Sequence, residues 1–212
     1  MAPVTTRRLP ATPSGGVPVA SPAGARERIL RTAFRLFYAH GVRGVGVDTI
    51  IAESGVAKAT FYRHFPSKDD LAVAYLSRVD ALWRGRLEAA AGAAGADPRA
   101  QLVGMFDALV EVCHERDYHG CAFINTAAES VIGSAVHART VEHKATVRAW
   151  VRDTAARAGA GDPDALARAL TLLLDGALAE GVLAAEPSAA QAARVTAAEL
   201  VDLHCRGGLP TA

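Results

Sequence analysis

Apolar residues recur along most of this chain at steps of three and four, while alternation at steps of two is scarce. That periodicity predicts helices throughout and an all-α protein. The first helix is expected over 25–40, where Ile29, Leu30, Ala33, Phe34, Phe37 and Tyr38 share one stripe and Gly41 follows as a C-cap. Arg28, Arg31 and Arg35 lie off the stripe, on a solvated face. After the Gly-punctuated link VRGVGV, Asp48 is placed to cap a short helix over 49–54 that buries Ile50, Ile51 or both. Gly55 permits the positive φ of a tight helix–helix turn, Val56 plugs the angle, and a helix over 58–65 follows. Phe61 and Phe65 return at i+4 and read as core. Ser67 then caps a long helix to about Ala91 that carries Leu71, Tyr75, Val79, Leu82, Trp83 and Leu87, with Asp69 and Asp70 at its positive end.

Beyond GAAGADP at 92–98, a helix over 99–115 places Leu102, Met105, Phe106, Leu109, Val110 and Cys113 on one broad face. Helices over 122–132 and 134–158 follow, the latter with Val136, Val141, Val147, Trp150 and Val151. Asp162-Pro163 opens the next helix by a cap-then-proline start, and Pro187-Ser188 opens the last. Between them, Leu166, Leu170, Leu172, Leu173, Leu174, Ala177, Leu178, Val182 and Leu183 leave almost no polar face. A helix that apolar calls for a second covering surface.

Composition adds limits. Half of the residues are apolar but only 6% aromatic, so Ala, Leu and Val must build the core. Five prolines within residues 1–24, and no periodic stripe there, predict a disordered arm. Net charge is +1, yet residues 1–70 hold ten Lys/Arg against five Asp/Glu, and residues 71–212 hold thirteen against seventeen. The basic third is the part suited to a polyanion, and Arg7 and Arg8 of the arm belong to it. Cys113, Cys121 and Cys205 lack C-x-x-C spacing, and the Cys113-His114…His119-x-Cys121 cluster matches no zinc pattern, so no metal is expected. No apolar run reaches the ~18 residues of a membrane span and no signal-peptide core is present, which predicts a cytoplasmic protein.

The run IIAESGVAKATFYRHFPSKDDL resembles the DNA-binding region of the TetR family of bacterial transcriptional regulators. The Gly-Val turn, the Thr-aromatic-Tyr-x-His-Phe helix and the Ser-Lys-Asp start of the next helix stand at family spacing, and the likeness covers roughly residues 25–75. It implies a three-helix helix-turn-helix domain over 25–70, a larger helical ligand-binding and dimerisation domain over 71–206, a tail over 207–212, and about nine helices. The chemistry of the helix over 58–65 agrees. Lys58 can donate to guanine O6/N7, Ala59 and the Thr60 methyl suit thymine, and Tyr62, Arg63 and His64 carry donors for phosphates or bases. The resemblance makes Tyr62 and Lys68 phosphate contacts, the latter at a helix N-terminus that itself favours an anion. It also gives a backbone contact to a Thr opening the preceding helix; this chain reads Val47-Asp48-Thr49, which shifts that role to Thr49.

Further implications concern the larger domain. The resemblance places an effector pocket among its helices, with Trp83, Met105, Phe106, Leu109, Phe123, Asn125 and Trp150 as candidates, Asn125 as a buried amide in need of partners. It answers the surplus of apolar surface with a four-helix bundle shared by two subunits, through Leu166, Leu170, Leu173, Leu174, Ala177, Leu178, Val195 and Leu203. The expected function is a homodimeric repressor on a near-palindromic DNA operator, released by a small apolar effector, with no cofactor. The alternative is a helical ligand carrier or enzyme whose helix-turn-helix is vestigial. No Ser-His-Asp set, paired-carboxylate motif, P-loop or H-E-x-x-H supports catalysis, so no enzyme is expected.

Overall fold

Ten helices form among the residues described by the computed structural model, which are 24–184 and 188–205. They are α1 (Ala25–His40), α2 (Val47–Ser54), α3 (Lys58–His64), α4 (Lys68–Ala93), α5 (Pro98–Gly104), α6 (Asp107–Cys113), α7 (Ala122–Glu129), α8 (Ala135–Arg157), α9 (Pro163–Ala184) and α10 (Ser188–Cys205). The arm apart from Gly24, the tail, and Pro187 before the last helix lie outside the described residues.

Local chemistry explains most boundaries. Ser67 caps α4 through a full capping box: its Oγ accepts the Asp70 N–H at 3.1 Å and its own N–H donates to Asp70 Oδ2 at 3.0 Å. Asp162 accepts the Ala165 N–H at 2.9 Å beside Pro163. Gly55 takes the left-handed conformation, φ 64 and ψ 35, that turns the chain from α2 toward α3.

Three expectations change. Gly46, not Asp48, is the N-cap of α2, and no side chain caps it. Glycine is tolerated there, and Asp48 instead sits in the first turn, near the positive end of the helix. Within the expectation, Ile50 is the isoleucine that α2 buries, while Ile51 is half-buried. The helix expected over 99–115 is two, so nine helices become ten when the broken one is counted twice. At the break, Phe106 N–H bonds to Val103 O and Leu109 N–H to Phe106 O, the tighter i→i+3 pattern. Gly104 presses on α4, where a Cβ would come within 2.6 Å of the Ala94 Cβ. Finally, α7 stops at Glu129, and Val131 and Ile132 stand 78% and 86% exposed in the following turn.

Two apolar cores result, and α4 runs through both. Its first half gives Leu71, Ala72, Tyr75 and Leu76 to the core of α1–α3, which also receives Phe123 of α7 and Val136 of α8. Its second half gives Leu87 and Ala91 to the core of α5, α6, α8, α9 and α10. There α9 and α10 pack side by side as an antiparallel pair, with the Gly161 N–H bonded to His204 O at 3.1 Å. Of the eight residues expected at a subunit interface, Leu166, Leu170, Leu174, Ala177 and Leu178 are already buried within this subunit, and Leu173 is half-buried. Val195 and Leu203 remain 60% and 69% exposed, joined by Leu172 and Leu183 at 68% and 79%. Much of the apolar surplus of α9 is therefore covered from within, by α8, α6 and α10.

Candidate functional site

The first turn of α3 projects from the α1–α3 core. Phe61, fully buried, and Phe65 at the helix end fix its inner side, with Arg26 of α1 over the Phe65 ring at 5.2 Å. The outer side then presents Lys58, Ala59, Tyr62 and Arg63, all exposed, with Thr60 and His64 half-buried beside them. Tyr62 packs T-shaped on Phe61, centroids 5.2 Å apart, and remains 43% exposed. Lys58 Nζ lies 3.6 Å from Asp48 Oδ1, both groups strongly exposed. Such a pair contributes little and is readily exchanged for another anion. Thr49 is exposed on α2.

Lys68 opens α4 half-buried, and its Nζ donates to Arg43 O in the α1–α2 link at 3.3 Å. The capping box leaves the Lys68 and Asp69 amides of that turn without intrahelical partners. Arg43 was not foreseen. It is exposed in the link, and its charge among three glycines was the available signal.

Two cavities flank α7. One, of about 310 Å³, is walled by Phe34 and Tyr38 of α1, Leu82 and Trp83 of α4, Tyr118 and Phe123. Its rim holds the Arg86–Glu115 ion pair at 2.7 Å. The other, of about 400 Å³, lies between the C-terminal turn of α1 and the opposite side of α7. Of the expected pocket residues, Trp83 and Phe123 line the first cavity and Asn125 the second, while Trp150 lines a small void of about 70 Å³. Met105, Phe106 and Leu109 are fully buried core residues and line none of these three. Asn125 is exposed rather than buried, and donates through Nδ2 to His119 O at 2.8 Å. The reason is the face of α7 that carries it, since Ala122, Phe123 and Thr126 take the buried positions.

A buried charge cluster joins the first cavity to α4. Asp80, 8% exposed, accepts from His143 Nδ1 at 2.6 Å and from Arg139 Nη2 at 2.8 Å. The His143 ring, 2% exposed, stacks on Phe123 at 3.5 Å and 6°. Burial pushes the His143 imidazole below its ordinary value despite the pull of Asp80, so the neutral ring carries its proton on Nδ1. Burial alone would raise the Asp80 carboxyl, but the hydrogen bonds from His143 and Arg139 outweigh it and hold the group low. Asp80 was missed. It falls between Leu76 and Leu87 on the buried stripe of α4, where an acidic residue was itself a signal.

Residues 29–75 match the sequence pattern of bacterial regulatory proteins of the tetR family. The crystal structure of SCO4454, a TetR-family transcriptional regulator from Streptomyces coelicolor, superposes with a TM-score of 0.80 at 35% identity, covering 85% of this chain and 96% of that one. The transcriptional regulator LmrA of Bacillus subtilis is 48% identical over 50 residues, 23% of this chain and 27% of LmrA. The transcriptional repressor NemR of Escherichia coli K12 is 28% identical over 105 residues, 49% of this chain and 53% of NemR. The chain thus spans about a quarter to a half of these two relatives. The fold and its outward-facing α3 define a helix-turn-helix transcriptional regulator, a protein that binds DNA and is not an enzyme. Within that class, the chain belongs to the TetR family. Among the described residues, no helix is long and apolar enough to cross a membrane.

Proposed function

We propose that the protein is a repressor that grips a near-palindromic operator as a homodimer and leaves it when a small apolar molecule enters the 310 Å³ cavity. The observation that carries the DNA-reading part is the exposed start of α3, with Lys58, Ala59 and Arg63 clear of the core. In this reading Lys58, Ala59 and Thr60 meet base edges, Tyr62, Arg63 and His64 meet phosphates or bases, and Thr49 and Lys68 grip the backbone on either side. Repression is supported by likeness to a relative that carries that word in its name. The cavity supports an apolar, ring-shaped effector, since its walls hold five aromatic side chains. Its occupant would bear on Phe123, and through the stacked His143 on Asp80 of α4, the helix that carries the reader. The ligand changes DNA affinity only as far as it binds the two arrangements differently.

Electrophoretic shift with DNA from upstream of the protein's own gene tests the reading. Binding should be sequence-selective and fall steeply with salt. Tyr62→Phe with Lys68→Ala should weaken it across all sequences and flatten the log–log salt slope by about one for the lost lysine. An unchanged slope and affinity would remove both assigned phosphate contacts.

A further inference from the structure

The second cavity is built differently from the first. One wall is the end of α1, part of the DNA reader, and the other is α7. Its lining includes one carboxylate, Glu129, two histidines, His40 and His119, and no lysine or arginine. Among the described residues no cation pairs with Glu129. Glu129 Oε2 accepts the Arg43 N–H at 2.8 Å, and Oε1 packs against Gly41, where φ is 76 and a Cβ would collide with it. Phe37 and Tyr38 line the same space from α1. The Tyr38 hydroxyl is fixed, donating to Gly120 O at 3.3 Å and accepting the His119 N–H at 3.2 Å, so its ring is held in place. Asn125 also lines the space, and its amide NH₂ donates to His119 O at 2.8 Å.

We infer that this interdomain cavity is a second effector site, one that takes a small organic ammonium and signals to the DNA reader through Glu129. The carboxylate receives the N–H donors, and aromatic rings cover the hydrocarbon. The signal has a short route. The Arg43 peptide is held on both sides, its N–H by Glu129 and its C=O by Lys68 Nζ, so two hydrogen bonds separate the Glu129 carboxylate from the ammonium of Lys68. An ammonium on Glu129 draws the carboxylate off the Arg43 N–H, frees the α1–α2 link, and leaves Lys68 without its anchor. The site shares Tyr38 and Ala122 with the wall of the aromatic cavity but opens on the other side of α7, and only its effect on DNA rests on the reading proposed above.

Benzylammonium chloride is the probe, with benzyl alcohol in matched sodium chloride as the uncharged control. Calorimetry on DNA-free protein should show saturable binding of the amine and none of the alcohol. In a parallel operator titration the amine should lower affinity about fivefold, at the low end of allosteric couplings. Glu129→Gln keeps an acceptor for the Arg43 N–H, so it should bind operator as the parent does, yet neither bind nor respond to the amine. Equal binding of the alcohol, undiminished amine binding by Glu129→Gln, or no binding at all would overturn the site. Amine binding with unchanged operator affinity would overturn the coupling. Loss of operator binding in every sample, amine or not, would count against the DNA-reading proposal instead, and calorimetry would still decide the site.

Discussion

Replacing Asp80 by alanine should cost about 3–5 kcal/mol of folding free energy, the range for removing one member of a buried ion pair. The loss comes less from the missing contact than from what stays behind: Arg139, whose side chain is 13% exposed, would keep its charge with its carboxylate gone. His143 would keep a buried N–H with no acceptor. Arg84 Nε, 3.3 Å from Asp80 Oδ1, is itself buried and makes no hydrogen bond, so it too would lose its neighbouring carboxylate, although the rest of that side chain is 41% exposed. Asp80→Asn should cost less, since an amide oxygen can still accept from His143. Urea unfolding at equal protein concentration measures both; a cost under about 1 kcal/mol for the alanine variant, the worth of an ordinary surface substitution or weaker pair, would dismiss the cluster as a stabilising element.

The same cluster fixes a pH dependence. Burial lowers the folded-state value of His143, and the hydrogen bonds from His143 and Arg139 leave that of Asp80 lowered too. In each case the unfolded chain takes up its proton first as the pH falls. Stability from His143 is therefore complete above about pH 6.5, its unfolded value, and erodes below it. That from Asp80 erodes in turn below about pH 3.9. His143→Asn presents an N–H at the place of Nδ1 without titrating, so it should abolish the upper step and keep the lower.

How far the sequence made these features legible depends on the range of the interactions involved. Gly55, Ser67, Asp162 and the Phe61–Phe65 pair act on neighbours within one turn, and each does locally what its type suggests. The exposed start of α3 follows, because two inward phenylalanines leave Lys58, Ala59, Tyr62 and Arg63 nowhere to point but out. What spacing could not supply was pairing across the chain. Asp80 and His143 are 63 residues apart, and Arg43 and Glu129 are 86 apart. No periodicity joins them. The break between α5 and α6 is likewise tertiary, set by how closely Gly104 lets the chain approach α4. The apolar wealth of α9 was plain, but whether its own subunit or a second one covers each leucine depends on the neighbours of α9.

That division carries the last expected result. Leu172→Arg with Val195→Arg should turn the proposed dimer into a monomer of about 22.0 kDa and lower operator affinity on the order of 10²–10⁴-fold. Both side chains stand on the outer face of the antiparallel α9–α10 pair, 68% and 60% exposed. A two-fold interface would use each twice, so the double variant places four cations where four apolar groups would meet. The affinity loss follows because a lone subunit holds one half-site and forfeits the effective concentration at which its partner would find the other. Gly176 sharpens the test. It lies mid-helix and exposed on α9, with nothing within 4 Å of where a Cβ would stand. In an unpaired helix, Gly176→Ala should stabilise the fold by about 0.5–1 kcal/mol. Against a closely packed partner helix the added methyl should weaken association instead. Gly181, further along α9, has its space filled from within by Cys113 and Tyr118. Light scattering coupled to gel filtration reads the mass of each variant, and a parent protein already monomeric at micromolar concentration would end the dimer proposal.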